Sequence, residues 1–285
     1  MTAHATGSPI GILAGGGLFP GAVAREIVAA GRSVHLIGIE GEADAAIEAF
    51  PHSWVKWGEI GKLLDELKKA GARELVIIGS VTRPDMSKVR FDLGAILNLP
   101  IVLGLMVGGD DSVLSSVVRF FEAKGLTVRG AHDVAPRLVL GEGLVGRHAP
   151  SGEDRKDIDK GFAVVRALGA LDVGQAAVVT RGHIIAVEAA EGTDRMLMRA
   201  ADLRQWGKGR GRKRLGVLVK RPKPRQEMRV DMPAVGARTI ELAAAAGLAG
   251  VALMADGVIT AEREAIARLA DENGLFVAGI RDVAE

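Results

Sequence analysis

The sequence predicts an α/β protein, with an N-terminal Rossmann-like domain built on a parallel sheet and a second α/β domain. Short apolar runs alternate with segments of helical periodicity along the whole chain, an order that favours parallel strands covered by helices. Glycine clusters follow several of the apolar runs, as expected at strand-to-helix turns. A length of 285 residues is sufficient for two ordinary domains.

The first predicted domain spans residues 1–137. Its apolar runs end in glycine or are followed by a helical pattern, which gives the alternation typical of a Rossmann-like sheet. Asp110 and Asp111 open its last helix, where we interpret them as capping residues in preference to a metal pair. The predicted strands are 10–14, 33–39, 74–78 and 126–129, and the predicted helices are 19–30, 59–70 and 110–124.

The second predicted domain spans residues 151–285 and follows a glycine-spaced segment, 138–150, that we interpret as a linker. Two of its strands form a hairpin around Arg181-Gly182. The predicted strands are 176–180, 184–187, 215–219, 251–254 and 276–279, and the predicted helices are 153–168, 195–205, 235–246 and 261–273.

Composition excludes several classes of function. The absence of cysteine rules out disulfides, thiol nucleophiles and thiolate metal sites. The first residues lack the basic and apolar regions of a secretory signal, so we expect no export. The apolar segment 242–254 is too short and too small-sided to span a bilayer. The 37 basic and 35 acidic residues nearly balance, and the net charge of +2 does not favour nucleic acid as a partner.

Two glycine-containing stretches follow predicted strands of the first domain. Backbone amides in such turns can bind phosphate, because no side chain blocks its approach. A tight strand-to-helix turn is the alternative interpretation. The first stretch, Gly15-Gly16-Gly17, lacks the GxGxxG spacing, and the chain contains no P-loop motif. Arg83 is either an anion clamp or a solvated loop arginine. The predicted substrate-binding residues of this domain are Gly15, Gly16, Gly17, Gly79, Ser80, Thr82 and Arg83.

The stretch VEAAEGTDRML, residues 187–197, places Glu188, Glu191 and Asp194 where a strand passes into a helix. Thr193 or Asp194 can cap that helix, but capping accounts for one carboxylate only. The remaining acids indicate either a metal site or a surface patch that pairs with basic residues.

A strongly basic stretch follows, with ten lysines and arginines and no acid between Leu203 and Gln226. Its first part, 206–214, is interleaved with glycine and suits an anionic membrane surface or a phosphorylated lipid; one aromatic residue is few for RNA. Its second part continues into a proline-rich loop, on which Lys223 and Asp231 can face one pocket. A solvated loop in which Asp231 caps the next helix is the alternative.

Five stretches resemble the UDP-2,3-diacylglucosamine pyrophosphatase family of lipid A biosynthesis, in the two-domain form that is unrelated to the calcineurin-like phosphoesterases. The resemblance covers nearly the whole chain. Each stretch is weakly specific alone, and together they are highly specific. They are GILAGGGLFP at 11–20, IIGSVTRP at 77–84, VGGDDSVL at 107–114, VEAAEGTDRML at 187–197 and LVKRPKPRQEMRVDMPAVG at 218–236.

The resemblance implies Mg²⁺-dependent hydrolysis of the pyrophosphate of UDP-2,3-diacylglucosamine to UMP and 2,3-diacylglucosamine 1-phosphate (lipid X). It also implies a cytoplasmic enzyme, peripheral at the anionic surface of the inner membrane, that binds its substrate between two domains. The candidate assembly of this chain is a homodimer.

On this basis Asp231, Lys223, Asp194 and Glu191 are the expected catalytic residues. Asp231, Asp194 and Glu191 are also the expected metal ligands, and Thr193 and Arg221 are expected to bind substrate. Two other classes of function remain as alternatives. One is a nicotinamide-dependent oxidoreductase in which Glu40 binds the ribose; the other is a non-catalytic module that binds RNA or anionic lipid.

Overall fold

The computed structural model describes residues 7–82, 85, 87, 89–97, 110–203 and 214–282. The chain divides into two compact units. The first comprises Met1–Arg137 and Glu227–Asp231, and the second comprises Leu138–Gln226 and Met232–Glu285. The short stretch Glu227–Asp231 therefore belongs to the first unit, although the sequence places it within the second predicted domain.

The first unit contains a five-stranded sheet in which every pair of neighbours is parallel, in the order β3-β2-β1-β4-β5. This order reverses between β1 and β4, and such a reversal opens a crevice at the carboxyl ends of the strands. The strands are β1 Ile10–Ala14, β2 Val34–Ile39, β3 His52–Val55, β4 Glu74–Ile78 and β5 Thr127–Arg129.

Helices cover this sheet because their apolar faces pack on the apolar strands. In α2, Leu63 and Leu67 are buried among core residues that include Leu75 and Phe121, while lysines occupy the last turn and complement the helix dipole. The helices are α1 Phe19–Ala29, α2 Ile60–Lys69, α3 Leu93–Leu97, α4 Asp110–Ala123 and α5 Ala131–Val134, with a 3-10 helix at Ala45–Ala49.

The second unit contains a mixed six-stranded sheet in the order β6-β13-β11-β9-β7-β8. The central strands β9, β11 and β13 are parallel, whereas β7 is antiparallel to both β8 and β9, and β6 is antiparallel to β13. The strands are β6 Gly143–Leu144, β7 Ala176–Thr180, β8 His183–Val187, β9 Val217–Lys220, β11 Gly250–Met254 and β13 Phe276–Ile280; a separate parallel pair joins β10 Ala234–Val235 to β12 Ile259–Thr260.

Helices accompany this sheet, and its core is built mainly from alanine, valine, leucine and isoleucine, whose compact side chains allow helices and strands to pack closely. The helices are α6 Gly152–Gly169, α7 Gly192–Leu203, α8 Ala237–Ala245 and α9 Arg263–Asn273. Among the residues that the structure describes, no helix has both the length and the apolarity needed to cross a bilayer.

These two sheets confirm the predicted α/β class with a parallel N-terminal sheet. The short, half-polar strand β3 was not predicted, because its sequence HSWV lacks a continuous apolar run. Residues 138–150, which we interpreted as a linker, belong to the second unit. There Gly143–Leu144 pairs with β13, and the Val145 amide donates to the Val277 carbonyl at 2.8 Å.

Candidate active site

The glycine turn after β1 is held by hydrogen bonds within the first unit. The Gly15 amide donates to the Ile78 carbonyl at 2.9 Å, and the Gly16 amide donates to the Ser80 carbonyl at 2.7 Å. The Gly17 amide donates to the Asp44 carboxylate at 2.6 Å. All three amides that we predicted to be open to phosphate are therefore engaged, and the turn corresponds to the alternative interpretation, a tight strand-to-helix connection.

Glycine is required here because the ends of β1 and β4 approach closely. A Cβ added to Gly15 would lie 2.4 Å from the Ser80 carbonyl oxygen, and one added to Gly79 would lie 2.7 Å from the Gly15 carbonyl carbon. Gly79 also has a φ of +108°, which favours glycine. The two predicted glycine stretches thus lie together at the carboxyl edge of the sheet.

Glu42 organises the same edge and was not among the predicted residues. Its carboxylate accepts hydrogen bonds from the Thr82 amide at 2.9 Å and the Thr82 hydroxyl at 2.5 Å, and from the Trp57 indole at 3.4 Å. Burial by itself would raise the pKa of Glu42, but the bonds from Thr82 and Trp57 outweigh it and lower the pKa. Thr82 is therefore bound internally, and Arg83 lies outside the described residues.

The second unit gathers buried cations at the carboxyl end of β9. Lys220, Arg221 and Lys223 are only 8, 2 and 7% exposed. Buried charges require partners, because removing an ion from water costs several kcal/mol. The partners of these three side chains therefore show which of the cations contact a carboxylate of the protein itself.

Arg221 contacts a carboxylate directly. Its guanidinium donates to Asp282, just past β13, and Arg166 of α6 donates to the same Asp282 oxygen at 2.6 Å. Two guanidiniums thus share one carboxylate, which ties α6, the loop after β9 and the segment after β13 together. The Arg221 amide donates to the Gln175 carbonyl at 3.0 Å, so the backbone is fixed as well.

Lys223 also contacts a carboxylate directly. Its ammonium donates to Asp172, which lies just past the C-terminus of α6 in a left-handed conformation with a φ of 59°. The Lys223 amide donates to the Gln226 side-chain oxygen at 2.7 Å. The loop that we predicted to present Lys223 is thus folded against α6.

Lys220 has a different arrangement. Its ammonium donates to the Thr193 hydroxyl at 2.9 Å, and that hydroxyl donates to the Glu188 carboxylate at 2.8 Å. The second Glu188 oxygen accepts the Gln175 amide at 3.2 Å. Thr193 lies inside α7, which begins at Gly192 rather than at residue 195 as predicted, so its hydroxyl bonds to Glu188 instead of capping the helix.

The predicted metal ligands occupy three different environments. Glu191 forms an ion pair with Arg199 at 2.5 Å; the bond from its own backbone amide, together with that arginine, lowers the pKa of Glu191. Asp194 is exposed in the first turn of α7. Asp231 belongs to the first unit, where its amide donates to the Glu227 carbonyl at 3.0 Å. It does not cap α8, whose N-cap is Gly236.

The predicted magnesium ligands do not form a complete site within either unit. Neither unit contains all three predicted ligands, and within the described part of the chain no group of three or more histidine, cysteine, aspartate or glutamate side chains could hold a metal. Magnesium is, however, commonly bound by one or two carboxylates plus the phosphates of a substrate. In this shared mode, one or two of the predicted carboxylates would be sufficient.

The sequence drew attention to Glu188 without assigning it a role. Lys220, Asp172 and Asp282 were not among the predicted residues. Lys220 could have been found, because it is a lysine that ends an apolar run, LGVLVK, at the carboxyl end of a predicted strand. No local signal marks Asp172 or Asp282, since each meets its cation only through the fold.

Comparison with known proteins identifies both halves of the chain. The family model described as the LpxI N-terminal domain matches residues 9–138, and the model described as the LpxI C-terminal domain matches residues 141–278. UDP-2,3-diacylglucosamine pyrophosphatase LpxI of Caulobacter vibrioides is 42% identical over 271 residues, which cover 95% of this chain and 97% of that protein. The family predicted from five short stretches is confirmed: the chain belongs to the LpxI family.

Proposed function

We propose that this protein hydrolyses the pyrophosphate of UDP-2,3-diacylglucosamine, giving UMP and 2,3-diacylglucosamine 1-phosphate. The observation that carries the proposal is the 42% identity to a pyrophosphatase of that name over nearly the full length of both chains. A match that includes both family domains leaves no large part of the relative without a counterpart here.

The chemistry of the second unit suits this reaction. Attack of water on a phosphorus atom adds negative charge to oxygens that are already anionic, so positioned cations supply much of the stabilisation of the transition state. Three buried cations lie at the carboxyl end of β9, and burial strengthens their attraction for an anion relative to water. Exposed lysines on the same unit would be screened by solvent.

We also propose that the reaction depends on Mg²⁺ shared with the substrate. When bound, the ion would neutralise part of the pyrophosphate charge. Asp231, Glu191 and Asp194 are the proposed carboxylate ligands, with only one or two of them required if the substrate supplies the other oxygens. Activity that persists undiminished in excess EDTA would contradict this dependence.

Asp231 is the carboxylate that we propose to act at the reacting phosphate. Asp231→Ala should lower kcat at least ~100-fold, because a group that acts mainly in the transition state contributes little to ground-state binding. Binding of the lipid product, measured by calorimetry, should change little. A rate within about tenfold of wild type, ~1.4 kcal/mol, would exclude a central role. Asp256→Ala, in the other unit, is the control.

Hydrolysis in ¹⁸O-labelled water tests the reaction itself. Mass analysis of UMP and of the sugar phosphate shows whether hydrolysis occurs and which phosphorus receives the labelled oxygen. We expect both products, with label in one of them only. Intact UDP-2,3-diacylglucosamine after prolonged incubation with Mg²⁺ would overturn the proposed function.

The proposed substrate carries two acyl chains, so we further propose that the enzyme works in the cytoplasm at the anionic surface of the inner membrane. Support comes from the basic stretch that follows α7, since clustered lysine and arginine residues near such a surface contribute about 1 kcal/mol each.

A further inference from the structure

Lys220 differs from the two cations that follow it on the chain. Arg221 and Lys223 each contact a carboxylate directly, Asp282 and Asp172 respectively. Within the residues described, no carboxylate lies within ion-pair distance of the Lys220 ammonium, and its hydrogen-bond partner is the Thr193 hydroxyl. An ammonium has three donors, so two of them have no acceptor among the described residues.

The burial of Lys220 makes this arrangement costly. The residue is 8% exposed, and an ammonium removed from water without an adjacent counter-ion loses several kcal/mol of solvation. A leucine or methionine would fill the end of β9 without that cost. An anion supplied from outside the chain would compensate the charge.

Thr193 and Glu188 fix the position of this ammonium. The Thr193 hydroxyl accepts from Lys220 and gives its own proton to Glu188, so its orientation is determined at both ends. Glu188, 9% exposed, is in turn held by the Gln175 amide. The segment just after β8, together with α7 and β9, therefore positions one cation without a carboxylate in direct contact with it.

We propose that Lys220 binds the diphosphate of the substrate, with Thr193 and Glu188 as positioning residues. The identity of the diphosphate rests on the proposed function, whereas the anion site rests on the geometry alone. Arg221 and Lys223, which we predicted for substrate binding and catalysis, also connect the loop after β9 to the segment after β13 and to the end of α6.

Lys220→Met separates a functional role from a structural one. The substitution keeps the length and the apolar stem and leaves the bond from Thr193 to Glu188 in place. Replacing a buried ion by an apolar residue of similar size is often neutral or stabilising. We expect an unchanged or higher Tm, a fall in kcat/KM of at least ~100-fold, and loss of the Tm increase that inorganic pyrophosphate gives wild type. Lys220→Arg should retain part of both.

Lys156→Met is the matched control, because Lys156 is an exposed lysine of the same unit that pairs with Glu153 on the surface. Its kinetics and its response to pyrophosphate should equal those of wild type. Should Lys220→Met fail to fold, Lys220→Gln replaces it in the same measurements, since its amide can still donate to Thr193.

The positioning role is tested by Thr193→Val and Thr193→Ser. Valine keeps the shape but removes the hydroxyl, so kcat should fall roughly tenfold while KM changes less. Serine keeps the hydroxyl and should restore activity to within about twofold. A purely structural threonine would show the reverse pattern, because valine preserves packing better than serine.

The outcomes separate this inference from the proposed function. If wild type hydrolyses UDP-2,3-diacylglucosamine and Lys220→Met retains its activity and its response to pyrophosphate, Lys220 is structural and the inference is overturned. If wild type does not hydrolyse that substrate but pyrophosphate stabilises it through Lys220, the proposed function fails and the anion site stands.

Discussion

Asp157 shows how one buried carboxylate holds a turn that lies far from it in sequence. Residue 157 is 4% exposed on α6, and its two oxygens accept the amides of Arg181 and Gly182 at 2.8 and 2.7 Å. Both turn residues have positive φ, 49° and 75°, as in the tight turns that suit the twist of a hairpin. The hairpin leads directly to Glu188, so its anchoring also supports the proposed anion site.

Asp157→Ala should destabilise the protein by ~2–3 kcal/mol, because the amides of Arg181 and Gly182 lose their acceptors. Urea unfolding followed by circular dichroism measures this difference. Asp159→Ala, at an exposed position on the same helix, should stay within about 0.5 kcal/mol of wild type. Equal stabilities of the two variants would mean that the turn forms without Asp157.

The lowered pKa of Glu42 predicts that the stability of the first unit depends on pH. Its pKa is lower in the folded state than in the unfolded chain, since the bonds from Thr82 and Trp57 outweigh burial. The stabilisation is therefore fully present above the ordinary glutamate pKa of about 4.3 and is lost as the pH falls through the lowered value. Glu42→Gln should reduce stability at neutral pH, and the difference should vanish in acid.

Glu48→Gln provides the comparison for that measurement, because Glu48 is an exposed glutamate of the same unit. Its unfolding free energy should match wild type at neutral and acidic pH. A Glu42→Gln deficit that persists unchanged in acid would show that the ionised carboxylate is not the source of the stabilisation.

At the scale of elements, the ends of β1 and β4 show why two glycine stretches recur after strands. The Gly16 and Ser80 backbones pair by bonds of 2.7 and 2.9 Å, which extends the parallel sheet by one antiparallel bridge. This bridge brings the strand ends closer than any side chain at Gly15 would allow. The glycines are therefore needed for packing between elements.

Gly15→Ala should lower stability by ~1–3 kcal/mol, because its methyl group would meet the Ser80 oxygen at 2.4 Å and push the strand ends apart. Gly21→Ala is the contrasting change within α1. A Cβ there comes no nearer than 3.5 Å to the Arg25 side chain, so the helix should gain up to about 1 kcal/mol. Thermal unfolding compares the two, and similar Tm values would contradict the packing explanation.

At the scale of the whole molecule, the basic stretch after α7 is the feature that we connect with a membrane surface. Residues 204–213 lie outside the described part of the chain. Arg214 is described, and it donates to the Ala244 carbonyl at 2.9 Å, near the C-terminus of α8. A cation there complements the helix dipole, so Arg214 contributes to the fold and should be left intact when the stretch is tested.

Neutralising Arg210, Arg212 and Lys213 together should weaken binding to anionic vesicles, and raising the salt concentration should weaken wild-type binding in the same way. Co-sedimentation with vesicles that contain phosphatidylglycerol measures the bound fraction, and zwitterionic vesicles serve as the control. Equal sedimentation of the variant and wild type would exclude this stretch as the membrane contact. Hydrolysis of a detergent-dispersed substrate should be unaffected.

The sequence by itself determined the α/β class, most of the strands and helices, and the family. These properties depend on apolar periodicity, turn residues and short motifs, which are local along the chain. The runs that became β1, β4 and β9 were predicted to within two residues at each end. The nearly complete burial of β1 and β9 explains why their pattern is so clear.

Only the tertiary structure decided which charges are paired. Lys223 meets Asp172 across 51 residues of sequence, and Arg221 meets Asp282 across 61. No periodicity encodes such pairs, because the cost of burying a charge is met by whichever partner the folded chain brings near it. For the same reason the sequence could not show that Arg221 and Lys223 contact carboxylates, or that among the described residues the Lys220 ammonium donates to the Thr193 hydroxyl.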